Sequence, residues 1–245
     1  MQFISEKRLD DDSILEREFT LGEIPGILWT PTTVAAPTPL ILIGHSAAGL
    51  PTMYPRLLGR ARSAVASGYA AAALELPGSG VRPRSAGVDQ ARADLQRALR
   101  SGEPVTDDII DRLVLPLVDQ AVPEWQAALD ALLDRPEIGG PVGYSGGVIS
   151  IGTRLAVVEP RIAAAVLFAG SFVPRAIMEE ARQVTIPLHV LLQWDDEGND
   201  RQMALDLFDA FGSKEKTLNA NMGGHTGVPQ HAGEAANRFF GRHLT

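Results

Sequence analysis

Two stretches of this 245-residue chain carry a serine where a nucleophile could sit. Gly44-His45-Ser46-Ala47-Ala48-Gly49 follows the apolar run Pro39 to Ile43, and Gly143-Tyr144-Ser145-Gly146-Gly147 comes much later. The pattern G-x-S-x-G suits a nucleophile because its glycines permit a sharp strand-to-helix turn and close backbone approach. The later stretch satisfies the pattern and has a strand-like run before it and the helical VISIGTRLAVV after it. The earlier one has Ala48 at the final glycine position. A serine hydroxyl is a weak nucleophile unless a base takes its proton and an acid orients that base. In this kind of site the acid and the histidine follow the serine in that order, each on a loop after a later strand. Downstream of Ser145, LHVLLQW ends in Asp195-Asp196-Glu197, and KTLNANM ends in Gly223-Gly224-His225-Thr226-Gly227. Attack is therefore assigned to Ser145, with an acid from residues 195 to 197 and His225 as base. Ser46 lies on the neighbouring loop, where such an enzyme takes its second oxyanion donor.

Those loops need a frame to hold them. Short continuous apolar runs alternate with helical stretches, the signature of a buried, mostly parallel sheet with crossover helices on both faces. The expected strands are 40–43, 69–76, 141–144, 162–168, 188–194 and 217–221. The expected helices are 52–67, 117–134, 147–158, 201–211 and 232–243, with Gly68, Pro136, Pro160 and Gly212 as stops. Residues 15–29 read as two antiparallel edge strands, TPTTVAAPTP as a proline-rich loop and Asp10-Asp11-Asp12 as a solvated turn. Residues 81–116 break the alternation with two polar helices, 89–100 and 107–115. A connection of that length is expected to act as a small lid on a single domain covering 1–245.

Bulk properties exclude several functions. Apolar residues make up 45% of the chain and charged residues 21%, which is the composition of a globular domain. The net charge of −8 includes no basic block, so binding to nucleic acid is not expected. No run reaches the length of a membrane helix and no signal-peptide pattern opens the sequence, so a cytoplasmic protein without a membrane partner is expected. With no cysteine, thiolate metal sites and cysteine nucleophiles are excluded. Three acids in one loop, without further oxygen ligands at regular spacing, do not make a calcium site, and no metal or cofactor is expected.

With these motifs in hand, the chain resembles the α/β-hydrolase superfamily, and within it the dienelactone hydrolase-like and small esterase group. The matching segments are GHSAAG, LELPGSG, GYSGG, WDDEGND and GGHTG, and the resemblance runs from Pro39 to the C-terminal helix. It implies the α/β-hydrolase fold and selects Asp196 over Asp195 as the acid. It also implies an oxyanion hole of backbone N–H groups, from Gly146 and from Ala47 or Ser46. Two departures stand out. Relatives often carry His-Gly-Gly-Gly where this chain has His45-Ser46-Ala47-Ala48, which narrows the approach. The dienelactone enzymes use a cysteine nucleophile, and here the candidate is serine.

The implied reaction is acyl transfer on a small carboxylic ester, with an acyl-enzyme released by water. The same three residues would serve a lactone, an amide, a thioester or a carbon–carbon bond beside a carbonyl. A hydrolase fold kept only for ligand binding is the remaining reading. His45, Tyr144, Phe172 and Trp194 are pocket candidates, although histidine in such a loop more often bonds backbone and aromatic residues more often simply pack. Arg82, Arg84 and Arg175 could receive a carboxylate-bearing substrate, but read more plainly as surface charges or ion-pair partners of the insertion's acids, and His189 reads as a core residue. The expected partner is a small ester-like molecule, for a monomer or homodimer.

Overall fold

A computed structural model describes residues 1–10, 12–33, 37–170 and 172–244. Asp11 of the acidic turn and residues 34–36 of the proline-rich loop lie outside the described residues. One nine-stranded sheet organises the molecule, in the order β1-β2-β3-β5-β4-β6-β7-β8-β9. β1 (Gln2–Leu9), β2 (Ile14–Leu21) and β3 (Ile24–Pro31) form an antiparallel ribbon whose last strand pairs antiparallel with β5 (Ala70–Leu74). From there β5, β4 (Thr38–Gly44), β6 (Ile138–Gly146), β7 (Ile162–Phe168), β8 (Leu188–Gln193) and β9 (Lys216–Asn221) run parallel. The expected sheet is present, and its central strands are apolar on both faces because helices cover both.

Two cores follow from strand alternation. Ile41, Ile43, Ala164 and Val166 face α1 (Leu50–Ala66) and α7 (Gln230–His243). Leu40, Leu42, Tyr144 and Leu167 face α3 (Asp107–Leu133), α4 (Ile149–Val158), α5 (Arg175–Ala181) and α6 (Arg201–Ala210). The run Ala70 to Ala73 is fully buried, and its small side chains let helices on both faces come close to the sheet.

Four expectations change. β1 escaped notice because all but two of its residues are exposed, so no apolar alternation marks it. α5 is only 7 residues long and carries too short a pattern. The segments 107–115 and 117–134 form one helix that runs through Pro116 and Pro123. An interior proline costs about 3 kcal/mol. Against this, α3 buries Ile110, Val114, Val118, Val122, Trp125, Leu129 and Leu132, and each larger apolar side chain contributes about 1.5–3 kcal/mol. Burial wins, so the helix continues. Its start is fixed by Thr106, whose hydroxyl accepts from the Ile109 N–H, and by Asp107 and Asp108 in the first turn. Within the insertion expected as a small lid, Ile110 and Val114 belong to the main core, and α2 (Ala86–Ser101) forms an added layer lying on α3.

Candidate active site

The loops after β4, β6, β8 and β9 meet at the carboxyl edge of the parallel strands, where open α/β sheets place their ligands. The acid and histidine loops are bound to each other by backbone: Trp194 N–H donates to Asn221 O at 2.8 Å and Asp195 N–H to Gly223 O at 3.2 Å. The Gln193 side chain adds a bond to Gly224 O at 3.1 Å.

Asp196 and His225 are brought together, with His225 Nδ1 2.7 Å from Asp196 Oδ2. Asp196 is buried and in contact with the ring, whereas Asp195 is exposed. Two further donors hold the carboxylate: Asn199 Nδ2 to Oδ2 at 2.6 Å and Gly198 N–H to Oδ1 at 3.0 Å. Asp200 caps α6 by accepting from Met203 N–H at 3.1 Å, so the loop ends in a fixed helix start. A neutral His225 that donates Nδ1–H to Asp196 carries its lone pair on Nε2, the tautomer a base needs. Its ring lies edge-on to Phe168 with centroids 5.4 Å apart, and 61% of its side chain is exposed.

Burial pushes the Asp196 carboxyl up, but the bonds from His225, Asn199 and Gly198 outweigh it and hold it below the usual range. A carboxyl that is lowered in the fold contributes stability above its unfolded pKa and loses it as pH falls through the folded value. The melting temperature should therefore be steady down to about pH 4 and then drop. Asp196→Asn should make that acid limb shallower, the other lowered carboxyls, Glu137 and Glu159 among them, keeping the rest, as read by thermal melts across pH 2–7.

Ser145 stands differently from expectation. It is the last residue but one of β6, and the left-handed turn belongs to Gly146 (φ 70°) and Gly147 (φ 76°). Among the described non-glycine residues only Asp10 and Asp12 have positive φ. Because two glycines follow the serine, they take the left-handed conformation without steric cost, and Ser145 stays extended. Its half-buried side chain is on the α1 side of the sheet, and Oγ accepts from Arg60 Nη2 at 2.9 Å. Among the described residues no hydrogen bond joins Ser145 to His225.

On the adjoining loop Ser46, Ala47 and Ala48 are exposed, and the Ser46 hydroxyl contacts the Met53 sulfur at 3.4 Å. His45 is buried, its ring nitrogens each 2.7 Å from a carbonyl, of Leu74 and of Ser46; it bonds backbone and does not line a pocket. Tyr144 is likewise core, packed edge-on to Trp125 at 6.4 Å, because alternation along β6 turns it away from the edge. Phe172 is half-buried against the same core, and exposed Trp194 carries the Arg201 guanidinium 4.1 Å above its ring. Arg82 pairs with Glu124 at 2.5 Å and Arg175 with Asp107 at 2.5 Å, so both are ion-pair partners. His189 bonds Thr217 at 2.8 Å and stacks on Phe239. Two clefts, one at Arg17 and Glu137 and one at His189 and Thr217, lie near the amino ends of the strands, away from this chemistry. Depth is a poorer guide here than the loops that meet around His225.

Three residues were missed by sequence reasoning. Asn199 had no signal beyond its loop. Glu75, just past β5, is buried, and accepts from Leu50 N–H at the start of α1 and from the Ser79 hydroxyl, which anchors the loop after β4. Arg60 had a readable signal: it lies three residues after Leu57 and four before Ala64, on the buried face of α1.

No family model and no curated protein matches the chain. Solved structures do. A cold-adapted esterase from an Arctic intertidal metagenomic library, in a complex with PEG, is 27% identical over 100% of both chains with a TM-score of 0.76. A protein assigned as a dienelactone hydrolase from Klebsiella pneumoniae subsp. pneumoniae is 14% identical, over 93% of this chain and 97% of that one, with a TM-score of 0.66. The acetyl xylan esterase from Paenibacillus sp. R4 is 15% identical, over 98% of this chain and 88% of that one, with a TM-score of 0.63. Among the described residues no helix is long and apolar enough to cross a membrane. With an acid–histidine pair at the carboxyl edge of this sheet, the chain has the α/β-hydrolase fold and is similar over its whole length to a cold-adapted esterase.

Proposed function

We propose that the protein is a carboxylesterase-like serine hydrolase that cleaves a small carboxylic ester with Ser145 as nucleophile, His225 as base and Asp196 as its orienting acid. The observation that carries this reading is the 2.7 Å bond between His225 and a buried Asp196, on the two loops that follow the strand order of such a site. His225 Nε2 takes the proton of Ser145, Oγ attacks the ester carbonyl, and the resulting imidazolium is stabilised by Asp196. The alcohol leaves with that proton. Water then repeats the sequence on the acyl-enzyme and releases the acid. Backbone N–H groups of Gly146 and of Ala47 or Ser46 receive the oxyanion.

Among the described residues no hydrogen bond joins His225 Nε2 to Ser145 Oγ. Such contacts commonly tighten only once substrate is bound. Esters are favoured over amides by the esterase that matches the full length of the chain. The test is reaction with a fluorophosphonate probe followed by peptide mapping. Label on the peptide carrying Ser145, together with turnover of short p-nitrophenyl esters, supports the assignment; label on Ser46 or on Ser150 of α4 refutes it.

A further inference from the structure

Arg60 is a half-buried cation whose charge meets no carboxylate among the described residues. Its guanidinium instead spans the two loops of the candidate site. Nη1 donates to Gly44 O, the last residue of β4, at 2.7 Å. Nη2 donates to the Ser145 carbonyl and to Ser145 Oγ, the latter at 2.9 Å.

The surrounding backbone is shaped to admit it. A Cβ on Gly146 would come within 2.8 Å of Nη2, so any other residue there would displace the guanidinium. A Cβ on Gly147 would meet Gly44 Cα at 2.8 Å, so the two loops are already at closest approach where Arg60 binds them. Burying an arginine on the inner face of α1 costs several kcal/mol unless its donors are used. A bare structural tie would need only the two carbonyls. The third bond reaches the one atom that the proposed reaction requires to become negative.

We propose that Arg60 is a positioning residue for hydrolysis: it fixes Ser145 Oγ, leaves that hydroxyl's own proton for the base, and sets a positive charge beside the developing alkoxide. This rests on Ser145 being the nucleophile. An accepted bond from a cation favours the oxyanion form of the group that accepts it. The geometry also ties the loop that follows Gly44 to the loop that follows Ser145, so the two sets of oxyanion donors keep a constant separation. Burial pulls the Arg60 guanidinium down to about 10, and the interacting titratable side chain is Tyr144 of β6, whose phenol burial pushes up beyond the ordinary range. Arg60 is charged at neutral pH.

The experiment measures the second-order rate of fluorophosphonate labelling, together with kcat and KM for p-nitrophenyl butyrate, in wild type, Arg60→Met, Arg60→Lys and Ser145→Ala. Arg60→Met should label and turn over about 10²-fold more slowly, with KM within about threefold, the scale of losing one donor to a reacting oxygen. Arg60→Lys should fall between, since an ammonium keeps the charge but cannot make the three bonds at once. A loss of labelling rate and kcat with KM retained, partly rescued by the lysine variant, is a pattern that a purely structural tie would not produce. Wild-type labelling by a cooperatively melting Arg60→Met protein overturns the proposal. If the methionine variant does not fold, wild-type labelling by Arg60→Lys overturns it equally. Full labelling of Ser145→Ala would instead show that the nucleophile assignment has failed, and this inference with it.

Discussion

Ser145→Ala is expected to lower kcat for short p-nitrophenyl esters by at least about 10³-fold while leaving the fold intact. The size follows from the role: without Oγ there is no acyl-enzyme, and only the binding and oxyanion contributions to the hydrolysis of ester by water remain. The fold should survive because the change removes one partly buried hydroxyl whose bond to the Arg60 cation is worth about 1.5–3 kcal/mol, and Arg60 Nη2 keeps the Ser145 carbonyl. Circular dichroism melts alongside the assay separate loss of function from loss of structure. Activity equal to wild type would remove Ser145 from the mechanism. Ser46→Ala is the matched control, since its exposed hydroxyl only touches Met53. It should keep both turnover and labelling.

Asp196→Asn is expected to cost about 10⁴ in kcat with little change in KM. The carboxamide can occupy the same space, but its NH₂ would face His225 Nδ1 and favour the tautomer with the proton on Nε2. That ring cannot accept from Ser145. The remaining partners of residue 196 sharpen the test: Gly198 N–H holds Oδ1, whereas Asn199 Nδ2 shares Oδ2 with His225, so an amide that keeps its oxygen on Gly198 N–H turns its NH₂ to the histidine. Asp195→Asn, one residue away and exposed, should be nearly silent. A variant at 196 with wild-type kcat would show that His225 is oriented by something other than this carboxylate.

The strand-and-helix order was legible because buried parallel strands read as unbroken apolar runs. β7 was placed at Ile162–Phe168, its observed range, by this signal alone. The same logic failed for β1, whose exposed residues give no period, and for α3, where Pro116 read as a stop. Burial of an apolar face along its whole length overrode the local cost there. For the site, chain order brought out the 195–197 loop and His225, since loops after successive parallel strands must emerge at one edge, and the family resemblance chose Asp196, which bonds His225. The conformation of Ser145 was not legible. G-x-S-x-G states which residues can turn, and in Ser145-Gly146-Gly147 two of the three are glycines that take the turn themselves.

The sequence by itself determined the parallel sheet and which loops, 195–197 and 223–227, emerge together at its carboxyl edge, because these depend on local periodicity and on the order of strands. Only the tertiary structure decided where the side chains point and what they meet. It turned Tyr144 into the core, set His45 on backbone carbonyls, and brought Arg60 from α1 to Ser145 across 85 positions of sequence. The physical reason is that periodicity fixes the face a residue lies on, whereas a hydrogen bond between distant elements depends on packing distances of a few ångströms that no local pattern encodes.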